Sequence, residues 1–292
     1  MRHFKFKQVD VFTRIPFSGN PVAVVLDAAA LNSAEMQRLA AWTNLSETTF
    51  VLPPEHPRAD YRLRIFTPKR ELSFAGHPTV GSAHAVLEHG NIHPDNGRLV
   101  QECGAGLVEL EVFGAGDERR IMVTSPVPSI SPWEAPLIKD LERVLRTELP
   151  RGNTPLVVDV GPRWLVVEFP NRETVQALEP DFALAASLNK ASNTTGITVF
   201  GFSGGDQASV YVRSFAPAEG IPEDPVCGSG NISVGAYLLH KGLQVKTGNA
   251  YLAYQGRELG RDGHVYVNLV PETASIKIGG HAVTCINGEL TC

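Results

Sequence analysis

Glu47 stands where a helical stretch gives way to an apolar strand, in Asn44-Leu45-Ser46-Glu47-Thr48-Thr49-Phe50-Val51. A carboxylate entering apolar surroundings has a raised pKa, which suits it to take a proton and return it. The competing reading is a solvated Glu at a strand start. The densest stretch is Glu223-Asp224-Pro225-Val226-Cys227-Gly228-Ser229-Gly230-Asn231. Proline pushes the residue before it out of helical geometry. Asp224 therefore reads as a second acid/base, as a holder of a substrate group, or as an ordinary Asx turn. Cys227, at the start of a helix, is expected to have a lowered pKa; the alternative is a small buried residue in the turn.

Ala75-Gly76-His77-Pro78-Thr79 is the third candidate. Pro78 suits a first helical position. A histidine at a helix N-terminus is expected to stay neutral, because the positive dipole end disfavours imidazolium. A neutral imidazole can both donate to and accept from a substrate. The free amides near Gly76 and His77, and near Gly228, Ser229 and Gly230, favour an anion such as a small carboxylate. Glycines ahead of helices also serve simply as tight turns. Gly228-x-Gly230 is not a dinucleotide fingerprint, since the next glycine is Gly235, and the chain has neither a P-loop nor a G-x-S-x-G elbow. His84, His89 and His93 form no ligand pattern with His77, so no metal is expected.

The elements that would position these residues can be read from apolar periodicity. Strands are expected at Phe4–Phe12, Val22–Leu26, Thr48–Leu52, Tyr61–Phe66, Leu107–Phe113 and Arg120–Thr124. A helix over 32–43 would have Ser33 as N-cap and Met36, Leu39, Ala40 and Trp42 on its apolar side. A second, over 79–88, would stop at Gly90. Beyond residue 136, strands are expected at Leu156–Val160, Trp164–Phe169, Gly196–Phe202, Ala208–Phe215, Ala250–Gln255 and His264–Val270. Helices are expected at Asp181–Lys190 and at Asn231–His240, the latter ending at Gly242.

An internal repeat links the two halves. Phe66-Thr67-Pro68 matches Phe215-Ala216-Pro217 at a displacement of 149 positions, and Ala75-Gly76-His77 matches Cys227-Gly228-Ser229 at 152. Gly90 and Gly242 keep the 152 spacing, so one three-residue insertion explains the change. Each half has a strand ending in Phe-x-Pro, a loop, a glycine turn and a helix ending in glycine. Such order implies duplicated lobes. If they face each other, both helix ends point at one cleft.

The 292 residues exceed one ordinary hydrophobic core, so two domains are expected. Three prolines in Ser125–Pro132 mark the junction. The N-terminal lobe is expected over 1–127, a linker over 128–136 and the C-terminal lobe over 137–292, with the last strand free to cross back. Hydrophobic residues make up 43% and charged residues 20%, an ordinary globular composition. The net charge of -5 is spread out, and no basic run offers a footprint for nucleic acid or a membrane surface. Apolar stretches such as 21–26 are far shorter than a membrane span. The alternating N-terminus lacks the apolar core of a signal peptide, so a cytoplasmic location is expected. Cys103, Cys227, Cys285 and Cys292 match no zinc spacing and no disulfide framework.

Taken together these stretches resemble the PhzF family of phenazine-biosynthesis isomerase-like proteins. The matching residues are Val9-Asp10-Val11-Phe12, Phe17-Ser18-Gly19-Asn20-Pro21, Asn44-Leu45-Ser46-Glu47-Thr48, Phe66-Thr67-Pro68, Gly76-His77-Pro78-Thr79, Glu223-Asp224-Pro225-Val226 with Gly228-Ser229, and Gln255-Gly256-Arg257. The resemblance implies an α+β fold of two pseudo-symmetric diaminopimelate epimerase-like lobes, each a mixed sheet wrapped around a central helix. It implies a homodimer without a cofactor, shifting a proton between carbons of a dihydroaromatic amino acid. It places the acid/base on Glu47, with His77 and Asp224 beside it. It places substrate binding on Asn20, Ser46, Gly76, Thr79, Gly228 and Ser229. Related epimerases and proline racemases carry paired cysteines; here those positions are Ala75 and Cys227. A two-thiol racemase is thereby disfavoured.

The sequence thus points to a cofactor-independent isomerase of a small carboxylic or amino acid, with Glu47 as general acid/base. One alternative is a racemase or epimerase using Cys227 with Glu47. The other is a binding protein that kept the cleft and lost catalysis.

Overall fold

The computed structural model describes residues 1–134, 137–204 and 209–292. The last two residues of the expected linker, and Ala208 of the expected strand Ala208–Phe215, lie outside the described residues. The chain divides into two compact units, Met1–Thr124 with Gly279–Cys292, and Ser125–Ile278.

In the first unit, β1 (His3–Val11) leads through a loop to β2 (Asn20–Val25). Helix α1 (Ser33–Thr43) follows, then β3 (Thr48–Leu52), β4 (Tyr61–Phe66) and the two-residue β5 (Glu71–Leu72). Helix α2 (Gly76–His89) precedes β6 (Arg98–Cys103), β7 (Gly106–Phe113) and β8 (Arg120–Thr124). The α1 cap is Asn32, one residue before the expected Ser33. Its side chain accepts the Glu35 amide, and Glu35 returns the bond, a reciprocal capping box. Met36 and Ala40 are buried, but Trp42 is 76% exposed and does not belong to the apolar face as expected.

The second unit opens with β9 (Ser129–Pro132), α3 (Ile138–Leu145), β10 (Leu156–Asp159) and β11 (Arg163–Phe169). The short α4 (Arg172–Gln176) and α5 (Phe182–Ser192) lead to β12 (Gly196–Ser203), β13 (Ser209–Ala216) and β14 (Ile221–Asp224). Helix α6 (Gly228–Lys241), the one-turn α7 (Gln244–Thr247), β15 (Ala250–Gln255), β16 (Gly263–Val270) and the first four residues of β17 (Ser275–Gly280) complete it. The final strand β18 (Ala282–Thr291) pairs antiparallel with β1 and belongs to the first unit.

The repeat extends through the sheets. In the first unit β1–β2 is antiparallel, β2–β3 parallel, β3–β4 antiparallel, β4–β6 parallel and β6–β7 antiparallel. In the second, β10–β11, β11–β12, β12–β13, β13–β15 and β15–β16 follow the same alternation. Each parallel pair needs a crossover, which a helix supplies. The expected linker is therefore partly a strand: β9 pairs with β10 as β18 pairs with β1.

Both central helices are buried along nearly their whole length, from Gly76 to Leu87 and from Gly228 to Leu238. A helix apolar all round belongs inside its domain. Close packing requires small residues: a Cβ on Gly81 would lie 2.4 Å from a methyl of Val22. Both helices begin three residues earlier than expected, at Gly76 and Gly228. His77 and Ser229 thus fall in first turns, and Pro78 is the third helical residue. Among the described residues no helix is long and apolar enough to cross a membrane.

Candidate active site

In the first unit Glu47 is held by the turn between α1 and β3. Asn44 ends α1 in the left-handed conformation, with φ 54°, and its amide returns to the Ala40 carbonyl. The Thr43 and Thr48 hydroxyls lie 2.6 Å apart across the turn, and the Glu47 carbonyl accepts the Ala23 amide at 3.4 Å. The backbone of Glu47 is thereby fixed, and its side chain is 14% exposed. Its Oε2 lies 3.3 Å from Nε2 of His77, whose side chain is 6% exposed. The distance suits a hydrogen bond, but Nε2 does not meet the angular requirement for one.

His77 also bonds to the backbone of Pro21. Because Nε2 has no hydrogen bond, that bond uses Nδ1–H, and Nε2 is the unprotonated nitrogen of the neutral ring. Burial lowers the His77 pKa to about 3, against a small opposing effect of the Pro21 carbonyl. The imidazole is neutral, as expected, with burial rather than the helix dipole as the leading cause. Ala75 precedes α2 in extended conformation and offers no side-chain cap, and the first turn holds no acidic residue. Such a helix start accepts an anion.

The remaining first-unit candidates flank this pair. Asn20 is buried and adjoins Pro21, whose carbonyl holds His77. The loop entering it carries Phe12 and Phe17 at positive φ, 66° and 68°, strain of the kind that gathers at functional sites. Gly19 is required there, since a Cβ would lie 2.3 Å from the Val11 carbonyl oxygen. Ser46 is half-buried in the bend before Glu47. Gly76 opens α2. Thr79 is fully buried, and its hydroxyl accepts the Gln101 amide at 3.2 Å, away from the first-turn amides.

In the second unit β14 folds back on β13, with Asp224 opposite Ser214. Asp224 Oδ1 accepts the Val226 amide at 3.0 Å, closing an Asx turn. Burial raises its pKa to about 6, the Val226 bond opposing. The preceding Glu223 is locked by Arg213, which donates to both its oxygens at 2.8 and 2.9 Å and to the carbonyls of Val175 and Leu178.

Cys227 is the N-cap of α6, its sulfur accepting the Gly230 amide at 3.3 Å. The expected lowering of its pKa is reversed. Burial, and then the charge of Asp224, push the thiol well above its ordinary value. Those two effects outweigh the helix terminus. Gly228 is buried as the first residue of α6. Ser229 Oγ accepts the Trp164 indole N–H at 3.0 Å and lies 3.6 Å from the Cys227 sulfur, within reach of a hydrogen bond. A Cβ on Gly230 would lie 2.4 Å from the Ser214 hydroxyl, so that glycine serves close approach.

Trp164, Arg213, Gln101 and Gln255 shape these surroundings without a local signal of their own, because their partners are distant in sequence. Gln255 entered the sequence reading only within a motif. Among the described residues no group of three or more His, Cys, Asp or Glu side chains could hold a metal ion.

Comparison with known proteins supplies the class. The sequence profile of the phenazine biosynthesis-like proteins, PhzC-PhzF, matches residues 9–288, and the chain belongs to this family. It is 44% identical to antisense-enhancing sequence 1 of Schizosaccharomyces pombe, over 99% of each chain. It is 33% identical to the trans-2,3-dihydro-3-hydroxyanthranilate isomerase of Pseudomonas fluorescens, over 97% of each. A solved PhzF-family phenazine biosynthesis protein from Bacillus anthracis superposes with a TM-score of 0.85 at 27% identity, over 100% of both chains. The fold is accordingly diaminopimelate epimerase-like, as the sequence implied.

Proposed function

We propose that the protein is a cofactor-independent isomerase that shifts a proton within a small carboxylic or amino acid. The observation that carries this reading is the Glu47 carboxyl 3.3 Å from a buried, neutral imidazole at an uncapped helix start. Glu47 is the general acid/base, removing a proton from an acidic carbon and returning it elsewhere on the same molecule. His77 stays neutral and orients the carboxyl or a substrate polar group. The first-turn amides at Gly76 take the substrate carboxylate and stabilise the charge that develops. In the second unit, Asp224 and the Ser229 hydroxyl are the groups suited to bind polar atoms of a substrate. The reading takes the protein as a cytoplasmic homodimer.

Kinship with a relative named as a trans-2,3-dihydro-3-hydroxyanthranilate isomerase supports a cyclic, unsaturated amino acid as substrate class. The raised thiol pKa and the use of its sulfur as a cap weigh against Cys227 as a base.

The test is incubation of trans-2,3-dihydro-3-hydroxyanthranilate in D2O, followed by NMR. The wild type is expected to move the proton and incorporate solvent deuterium. Glu47→Gln is expected to abolish both while still binding the substrate. Turnover that survives Glu47→Gln ends this reading. Turnover lost on Cys227→Ser instead favours the thiol route.

A further inference from the structure

The Asp224–Cys227 turn is held by one side chain from a distant strand. Gln255, at the end of β15 and 1% exposed, donates Nε2–H to the Asp224 carbonyl at 2.9 Å. Its Oε1 accepts the Cys227 amide at 3.1 Å. The same oxygen accepts Nδ2–H of Asn231 at 3.0 Å, and Asn231 donates again to the Cys227 carbonyl at 2.8 Å. The backbone fixes the orientation of both amides. The Asp224 and Cys227 carbonyls require donors, and the Cys227 N–H requires an acceptor. The carboxamide supplies a donor and an acceptor on one head, which matches the carbonyl of Asp224 and the N–H of Cys227 at once.

The first unit provides an internal comparison. Gln101 lies on β6, opposite Tyr61 of β4, whereas Gln255 lies on β15 two residues beyond Ala253, which is opposite Val210 of β13. Gln101 reaches Thr79, the fourth residue of α2, as Gln255 reaches Asn231, the fourth of α6. Its Oε1 accepts the Tyr61 hydroxyl at 3.0 Å, and among the described residues Gln101 makes no bond to the loop before the helix. The two glutamines thus reach the same helical position from different strand positions, and the bracing of an acidic loop belongs to Gln255.

We infer that Gln255 is a positioning residue for Asp224, fixing the turn that carries this half-buried carboxyl so that it is held in place for the proposed reaction. This rests on the assignment of Asp224 to the substrate. The turn holds its own Asx bond from Asp224 to Val226 and a side-chain bond between Asp224 and Cys227, but neither fixes the Asp224 carbonyl or the Cys227 amide. Gln255 ties the turn at both ends.

The experiment combines carbon-13 titration of aspartate side chains with the isomerase assay, on wild type, Gln255→Met, Gln255→Glu and Gln101→Met. Gln255→Met fills the space without either bond. Gln255→Glu keeps the acceptor when ionised and regains the donor when protonated. In Gln255→Met the Asp224 titration is expected to move from near 6 toward the ordinary carboxylate range. Its kcat should fall on the order of 10²-fold, with KM little changed. The Glu variant's kcat relative to wild type should recover as pH is lowered, and that of the Met variant should not. Gln101→Met should leave the Asp224 titration in place. An unmoved Asp224 titration in folded Gln255→Met and Gln255→Glu overturns the inference. A wild type that does not turn over the dihydroaromatic acid sinks the proposed reaction, while the titration still decides the role of Gln255.

Discussion

His77 Nε2 and Glu47 Oε2 approach to 3.3 Å, and the imidazole is buried and neutral with its Nδ1–H spent on Pro21. Two acceptor-bearing groups at that distance have room for one proton. The turn that carries Glu47 is braced by the Thr43–Thr48 contact and by the Ala23 amide, so the backbone does not shift to compensate for a shorter side chain. Glu47→Asp is therefore expected to lower kcat on the order of 10²-fold, since about 1 Å of misplacement has that effect. Circular dichroism and melting temperature should stay close to wild type.

The pH dependence of stability carries two opposed signatures. His77 falls from 6.5 to about 3 on folding, so below pH 6.5 the unfolded chain takes a proton that the native state refuses. Its contribution is present above 6.5 and lost as pH falls toward 3. Asp224 rises from 3.8 to about 6, so its contribution is present below 3.8 and lost as pH rises through 6. Each full proton is worth about 1.4 kcal/mol per pH unit. Between pH 6 and 4 the two slopes oppose each other. Relative to wild type, His77→Gln should gain stability as pH falls across this window, and Asp224→Asn should lose it. Urea midpoints measured at pH 4, 5 and 6 decide the matter.

Cys227 should be chemically quiet. Its thiol is buried and its pKa raised, whereas Cys292 is exposed. A thiol reagent at pH 8 is expected to modify Cys292 first and Cys227 only on unfolding, as peptide mass mapping would show. Cys227→Ser keeps a cap acceptor. Cys227→Ala loses it and should cost about 1 kcal/mol. Rapid labelling of Cys227 in the native protein contradicts this picture.

Arg213 and Glu223 form an ion pair whose side chains are each only 5% exposed. Removing one partner of such a pair strands the other, at a cost of about 3–5 kcal/mol. Arg213→Met should therefore be strongly destabilised. Arg213→Lys should recover little, because an ammonium cannot reproduce the two-pronged contact while also serving the Val175 and Leu178 carbonyls. Denaturation midpoints of the two variants would test the comparison.

The sequence made the repeated strand-loop-helix unit readable because Phe-x-Pro and the helix-ending glycines mark its edges. It made Glu47, His77 and Asp224 candidates through their motifs. It hid β9 because prolines read as a linker, yet Pro132 ends an edge strand where little ladder bonding is required. It misplaced the starts of α2 and α6 because Ala75 and Cys227 are not ordinary caps. It reversed the direction at Cys227, since burial depends on the whole unit and not on the residues nearby. Trp42 misled for the same reason: helical spacing says which residues share a face, not whether anything covers it.

The strand exchange bears on the order in which the protein is made. A ribosome delivers β1 first and β18 last, yet these two are partners from His3–Thr291 to Val11–Ala282. While residues 125–278 are being synthesised, one flank of β1 lacks its native neighbour. Open strand edges recruit other chains. The first unit is thus begun first and finished last, and the interval between is when the nascent protein is most exposed to wrong pairing.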